Sequence, residues 1–519
     1  MSICGEAGGA LFQGRIRVGA LRLIGWLVLT ALAPGAAHLK AGWRRTGLTL
    51  LSCYAALLLA ILAFVLTRGD IYTTLGTLVD NTWLTVIIVA AAVLGVCWFA
   101  VIVHSFTVLR PGTLRQGEQI VTGTLAGLIA VAVLAPFALT AQVAWTSQTA
   151  INKIFKEPTP EPQAQGEEPP VQAREEQDPW AGRERVNILL LGGDADDHRP
   201  GVRTDSMHLA SVDVRTGNTV LFSLPRNLEH VRFKPGTPMA ERFPYGFRLP
   251  PDPGGGRSDL LNSVWEYADA HPEIFGGRKN QGPKVLMETI GHTLGLEVDW
   301  YALVNMWGFA RLIDAIGGVT ITVEEDVIFG RYNEGLVKAG TRKLKGADAM
   351  WYARSRTNSD DYTRMRRQRC VISALLREAD PATVLSRFTA IAGATEDLIQ
   401  TDIPRTMLSH LVPLALKVKD AKVTSVQFVP PLIKTYDPDW RFIRRTVREA
   451  LRESEGSAAI AASATPMMTP MTPMTVPATT PAATPRATSE STPTPGRTST
   501  PKKSDDTPTM DLAEGCGKA

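Results

Sequence analysis

Two short runs near the middle of the chain, Trp351-Tyr-Ala-Arg354-Ser-Arg356 and Asp361-Tyr-Thr-Arg364-Met-Arg366-Arg367-Gln368, concentrate guanidinium groups around one carboxylate and one amide. Two earlier segments add matching chemistry: Arg203-Thr-Asp205-Ser and Ser223-Leu-Pro-Arg226-Asn. A guanidinium is a rigid, permanently charged fork that holds phosphate oxygens two at a time. A convergent set of them therefore reads as a polyphosphate site. Taken singly, each arginine is more often one half of a surface ion pair. The ordered set outweighs that reading.

These side chains need elements to aim them. Asp361, Arg364 and Gln368 fall at i, i+3 and i+7, one face of a helix predicted over Tyr362–Arg377. Arg366 lies opposite, solvent-facing or paired, and Arg367 lies between. Arg354 and Arg356 share a side if the chain there is extended. Upstream, Val186–Gly192 is a short apolar run ending in Gly192-Gly193, a buried strand entering a turn. Met207–Val214 and Thr219–Leu224 are strands joined by a turn at Thr216-Gly217-Asn218. Ser258–Ala270, Lys284–Leu294, Trp307–Ile316 and Ala347–Tyr352 have helical period, whereas Val298–Met306, Val319–Val323 and Val423–Val429 read as strands. Strands and helices interleave, so the fold class is α/β.

The N-terminal part differs. Leu48–Thr67, Trp83–Phe106 and Ile120–Trp145 are long enough to span a bilayer. A shorter run, Leu21–Ala37, is broken by Pro34-Gly35 and has basic flanks. It reads as a re-entrant segment, with a fourth span as the alternative. Lys40, Arg44, Arg45, Arg110 and Arg115 assign their loops to the cytoplasm, which puts everything after Trp145 outside the membrane. The expected layout is a helical membrane region over 1–146 and a Glu/Gln/Pro-rich linker over 147–182. A folded domain follows over 183–453, then a disordered Thr/Pro/Ala-rich tail over 454–519.

A net charge of +4 on 519 residues argues neither for nor against nucleic acid. The five cysteines are scattered without a C-x-x-C pair. No disulfide framework or zinc site is expected, and Cys370 and Met365 read as helix core. His198 and His208 flank the arginine segments and are assigned no role.

The same residues fall into ordered motifs. Asp194 after a Leu-Gly-Gly strand end, Arg203-Thr-Asp205, Ser223-Leu-Pro-Arg226, Asp314-Ala-Ile-Gly-Gly-Val319, Ala339-Gly-Thr-x-x-Leu-x-Gly346, Tyr352-Ala-Arg-x-Arg356 and Asp361-Tyr-x-Arg-x-x-Arg-Gln368 run in order from about Val186 to Arg377. This pattern resembles the LytR-CpsA-Psr family, and the multi-span N-terminus with its Thr/Pro tail is similar to actinobacterial members. The resemblance implies a mixed sheet flanked by helices. It also implies an enzyme that moves a glycan from a polyprenyl-pyrophosphate carrier to peptidoglycan through a phosphodiester.

Carried over residue by residue, the resemblance implies that Asp194 and Asp205 hold Mg²⁺, with Mn²⁺ as a substitute, and that the ion binds the pyrophosphate. Arg203, Arg226, Arg354, Arg356 and Arg364 would clamp the phosphates, with Gln368 as a neutral donor and Arg367 in a secondary place. Asp194 could instead form a turn, and Arg203 could serve to hold Asp205. Asp361 is either the base for the acceptor hydroxyl or the residue that orients Arg364; the second is preferred. Many relatives carry a lysine where this chain reads Asp259-Leu-Leu-Asn262, and Arg257 is the nearest substitute. Trp300–Ile316 would line a polyprenyl pocket, or be ordinary core. The expected partners are a polyprenyl-pyrophosphate-linked glycan, peptidoglycan and the membrane, not nucleic acid. Rival readings are a polyprenyl-pyrophosphate phosphatase, a non-catalytic lipid- or wall-binding protein, and a transcriptional regulator. The predicted topology speaks against the last.

Overall fold

Apolar composition decides the first part of the chain. The structure, a computed structural model, describes residues 23–67, 80–109, 116–155, 180, 182–194, 202–253, 256–330, 332–357, 359–379, 399–463, 508–514 and 516. Helix α1 (Leu23–Leu32) is followed by a short α2 (Ala36–Lys40), with the chain bent between them at Gly35, whose φ of 107° suits glycine. Then come α3 (Arg44–Thr67), α4 (Asn81–Leu109) and α5 (Gln116–Ile154). These three are long and apolar enough to cross a membrane. α5 continues to Ile154, past the expected boundary at 146, because Thr146–Asn152 has no helix breaker.

The second part is built on a seven-stranded mixed sheet. Its strands are β1 (Arg185–Asp194), β2 (Arg203–Asp213), β3 (Thr219–Leu224), β4 (Trp300–Asn305), β9 (Ile399–Thr401), β10 (Val423–Gln427) and β11 (Met510–Asp511), in the order β11-β10-β3-β2-β1-β4-β9. β1 pairs antiparallel with β2 and parallel with β4, and β3 pairs parallel with β10. The helices are α6 (Pro238–Arg242), α7 (Val264–Ala270), α8 (Gly282–Leu294), α9 (Met306–Ala315), α10 (Gly346–Arg354), α11 (Asp361–Glu378), α12 (Leu408–Asp420) and α13 (Trp440–Ser463). Two hairpin-like pairs complete the set: β5 (Val319–Val323) with β8 (Gly340–Leu344), and β6 (Val327–Phe329) with β7 (Gly335–Val337).

Strand alternation sorts the sheet into two faces. Leu189, Leu191, Met207, Leu209, Val220 and Phe222 pack with α7, α8 and α13 in the main core. Ala210, Val212 and Leu221 pack with α12 and with Ile372 and Leu376 of α11. A separate apolar cluster joins α9, α10, α11 and the paired strands β5–β8. Each fully buried aliphatic side chain contributes about 1.5–3 kcal/mol, and α11 is held by the side chains it gives to the last two clusters.

Two expectations need correction here. The helix expected from Ser258 begins at Val264, after a 3₁₀ turn over Leu261–Ser263. The tail is not free after 453. α13 runs to Ser463, and Met510–Asp511 adds a strand to the sheet edge beside β10. Leu512 is buried, the Arg369 guanidinium donates to the Glu514 carbonyl at 2.6 Å, and Cys516 forms a disulfide with Cys370. Cys370 is thus a cross-link as well as part of the helix core. Residues 464–507 lie outside the described residues.

Candidate active site

Site construction begins with an irregularity in β2. Gly192 pairs with Ser206 and Gly193 with Thr204, which leaves Asp205 as the extra residue of a β-bulge. A bulge turns one side chain out of the alternating pattern and strips its main chain of ladder partners. Gly192 permits it, since a Cβ there would sit 2.9 Å from the Ser206 Cβ.

Two arginines then take hold of Asp205. Arg226, in the turn after β3, donates through Nη1 to Asp205 Oδ1 at 2.6 Å and through Nε to Asp361 Oδ1 at 3.2 Å. Arg364, one turn into α11, donates to the unladdered carbonyl of Asp205 at 2.8 Å. It also forks onto both oxygens of Asp361, at 3.1 and 3.0 Å. Arg356 approaches Asp361 at 4.0 Å with its side chain half exposed. Asp360 caps α11 by accepting from the Thr363 N–H at 2.7 Å, which fixes where Asp361 and Arg364 emerge.

Three segments distant in sequence therefore place three guanidiniums around two carboxylates. Burial pushes the Asp205 carboxyl up, but the Arg226 hydrogen bond and charge, with Arg364 and Arg356 behind, hold it below the usual carboxylate range. The Arg364 side chain is 5% exposed and Arg356 is 53% exposed. Arg364 is a brace, whereas Arg356 and the outer edge of Arg226 can meet a ligand.

The remaining predicted residues are placed differently. Arg203 opens β2 opposite Asp194 and pairs with Glu266 of α7 at 2.8 Å. Nothing in the residue pattern marks Glu266 beforehand, since one acid in a short helix has no distinguishing period. The side chain of Asp194 and the whole of His198 lie outside the described residues. Arg354 ends α10 with its guanidinium over the Trp351 ring at 5.4 Å, and Trp351 stacks on Phe329. Helix persists through Arg354, so it and Arg356 do not alternate as a strand; this corrects the extended reading.

Arg367 and Gln368 are also corrected. The last turn of a helix leaves carbonyls without partners, and both residues serve the end of α10. Gln368 donates to the Ala353 carbonyl at 3.3 Å and buried Arg367 to the Ser355 carbonyl at 3.3 Å. They position the segment carrying Arg356 and do not point as ligands. Arg366 pairs with Glu324 at 2.6 Å, as expected. Arg257 is committed to Asp259 and Glu229 at 2.7 and 2.8 Å, so it supplies no substitute lysine.

Several family motifs are structural. Asp314 accepts from the Gly346 N–H at 2.8 Å, tying the end of α9 to the start of α10. A Cβ at Gly346 would lie 2.0 Å from the Ala310 carbonyl oxygen, so only glycine fits. Tyr301 and Leu303 belong to the main core and Ile313 to the second cluster, while Trp307 of the same stretch is exposed.

One carboxylate oxygen of the site is open to a hard cation. Asp205 keeps an ionised carboxylate, 35% exposed, whose Oδ2 meets no protein donor among the described residues. Asn262, whose N–H donates to the Arg226 carbonyl, holds a buried amide oxygen that meets no donor among the described residues. Among the described residues no three His, Cys, Asp or Glu side chains cluster as a cage. An ion here would take most ligands from water and phosphate, the habit of Mg²⁺.

The profile of the LytR_cpsA_psr family matches residues 148–436, more than half of the 519. The chain belongs to the LytR_cpsA_psr family. Two LytR_cpsA_psr-like relatives are named polyisoprenyl-teichoic acid–peptidoglycan teichoic acid transferase TagU. The one from Oceanobacillus iheyensis is 30% identical over 44% of this chain and 62% of its own length. The one from Enterococcus faecalis is 27% identical over 53% of this chain and 77% of its own. The chain therefore spans less than two thirds of the first of these. Among solved structures, the LytR-CPS2A-psr family protein YwtF (TagT) of Bacillus subtilis, with octaprenyl pyrophosphate lipid bound, is 20% identical. That match has a TM-score of 0.34 and covers 53% of this chain and 92% of that one.

Proposed function

We propose that this protein is a membrane-anchored phosphotransferase that moves a glycopolymer from a polyprenyl-pyrophosphate carrier onto peptidoglycan. The observation that carries the reading is the convergence of Arg226, Arg356 and Arg364 on Asp205 and Asp361 at the β2 bulge. Phosphoryl transfer asks little of the protein beyond alignment and charge neutralisation, and that is what fixed guanidiniums supply. Membership of the LytR_cpsA_psr family and the transferase names of its relatives support the same reaction.

In this reaction an acceptor hydroxyl of peptidoglycan attacks the glycan-bearing phosphorus. The bond to the lipid phosphate breaks, the hydroxyl proton is released, and a phosphodiester remains. Arg226 and Arg356 bind the non-bridging oxygens. Asp361 is saturated by arginine donors and acts by orienting Arg364 and Arg226, not as the base. Mg²⁺, or Mn²⁺ in its place, would be held at Asp205 and Asp194 and would neutralise pyrophosphate charge.

The three apolar helices anchor the enzyme, with the domain outside the cytoplasm. Two observations support that side: the basic loops at Lys40–Arg45 and Arg110–Arg115, and a disulfide, which persists in oxidising compartments.

The test uses the full chain in nanodiscs with a polyprenyl-pyrophosphate-linked glycan and peptidoglycan fragments, with and without Mg²⁺, beside Arg226→Ala. Metal-dependent glycan–peptidoglycan product, sharply reduced in the variant, is expected. Lipid phosphate release without product would replace the reading with a phosphatase, and binding without turnover with a carrier protein.

A further inference from the structure

His208 is buried at 4% exposure beneath the site, on the face of β2 that meets α11, and no part of the proposed chemistry uses it. Its ring bridges two hydroxyls. Nδ1 lies 2.7 Å from Ser223 Oγ, its cross-strand neighbour on β3, and Nε2 lies 2.9 Å from Ser206 Oγ. Ser206 Oγ in turn lies 3.1 Å from Gln368 Oε1, and Gln368 Nε2 lies 3.3 Å from the Ala353 carbonyl oxygen. A continuous polar thread thus runs from β3, through β2 and α11, to the last turn of α10.

Its direction is fixed by donor arithmetic. A carbonyl can only accept, so the amide nitrogen of Gln368 faces Ala353 and its oxygen faces Ser206. Ser206 must spend its single proton on that oxygen, so it can only accept from the ring. Nε2 therefore carries the hydrogen, and in the neutral ring Nδ1 is bare and Ser223 donates to it. Every bond points the same way, from Ser223 toward Ala353, and each polarises the next.

We propose that Ser223, His208, Ser206 and Gln368 form a one-way hydrogen-bond relay in which His208, as the neutral Nε2–H tautomer, positions Gln368 and hence the α10 terminus that carries Arg356. His208 is a positioning residue, three hydrogen bonds removed from the Ala353 carbonyl that precedes Arg356. Burial, with the nearby Arg364 charge, lowers the imidazole pKa to about 4, which agrees with a ring that stays neutral. The relay acts on the transferase proposed above, and its catalytic consequence rests on that reading.

The experiment takes the full chain in nanodiscs, ¹⁵N-labelled at histidine, with the His208 signals found by subtraction of His208→Gln from the eight histidines. The expected spectrum at pH 7 shows a protonated Nε2 and a bare Nδ1, unchanged down to pH 5.5. A protonated Nδ1, or an imidazolium, overturns the relay. In turnover, Ser206→Ala is expected to lower kcat about 10-fold with KM within about 2-fold, and Ser206→Thr, which keeps the hydroxyl, to restore most of it. Equal loss in both variants overturns the positioning role. If the native protein shows the stated tautomer but no transferase turnover, the functional reading fails while the relay stands.

Discussion

Arg364 donates to the main-chain carbonyl of Asp205 at 2.8 Å while Arg226 donates to the side chain of the same residue at 2.6 Å. One residue is thus held at its main chain and at its side chain by arginines 138 positions apart, one from a helix and one from a turn. The β2 bulge makes this possible, since in a regular ladder that carbonyl would face another strand.

Replacing Arg226 by lysine keeps the charge but removes the fork that spans Asp205 and Asp361. Losing a charge-assisted hydrogen bond costs about 1.5–3 kcal/mol. Transfer assays are expected to show kcat/KM lower by about 10- to 100-fold, and Arg226→Ala to fall further. Wild-type turnover in the lysine variant would refute the bidentate role.

Removing Arg226 also frees the Asp205 carboxyl to titrate. Its pKa is depressed in the folded protein, so it is ionised above its ordinary range and loses its charge only as pH falls through the lowered value. Without Arg226 the balance tips toward burial, and the acid limb of the pH–rate profile is expected to move upward. The same limb in Arg203→Ala should stay in place, because Arg203 pairs with Glu266 instead.

Acid should weaken the fold through His208. The unfolded chain takes up its proton near pH 6.5, whereas the folded ring resists until about pH 4. Stability is therefore full above about pH 6.5 and falls as pH drops through that window, by up to about 1.4 kcal/mol per unit. The charged group acting on the ring is Arg364 of α11, while its β2 and β3 partners are hydroxyls. Burial also lowers His292 and His410, so denaturant melts between pH 4 and 7 should show a shallower slope in His208→Gln than in the native chain.

The Cys370–Cys516 cross-link closes a separation of 146 residues. Bridges over long loops contribute about 2–4 kcal/mol, so Cys516→Ser or added reductant should lower the melting temperature by several degrees. An unchanged melt would mean that Leu512 and Arg369 alone retain the C-terminal strand.

Gly346→Ala tests the α9–α10 junction. The added methyl would press on the Ala310 carbonyl, and a loss of about 2 kcal/mol or more is expected in thermal or chemical melts.

The sequence revealed the central hairpin well, because β-branched alternation and a Thr-Gly-Asn turn are local signals. Thr219–Leu224 matches its strand at both ends. The arginines and aspartates of the site were legible by residue type, since few other roles gather so many forks. Their division of labour was not. Whether Arg364 meets a ligand or braces Asp205 depends on a bulge, and a bulge is a matter of pairing between strands. Gln368 and Arg367 share a helix with Arg364, yet helical spacing does not say that another helix ends beside them. The strand at Met510 is two residues long, too short for any period, and Cys516 is matched to Cys370 only in space.

That last strand changes what the Thr/Pro-rich stretch is. The chain is held on both sides of it, at Ser463 by α13 and beyond 507 by β11 and the disulfide. A protease that nicks the backbone once between 464 and 507 would release nothing. The two pieces would migrate together on a non-reducing gel and part only when the sulfur bridge is opened.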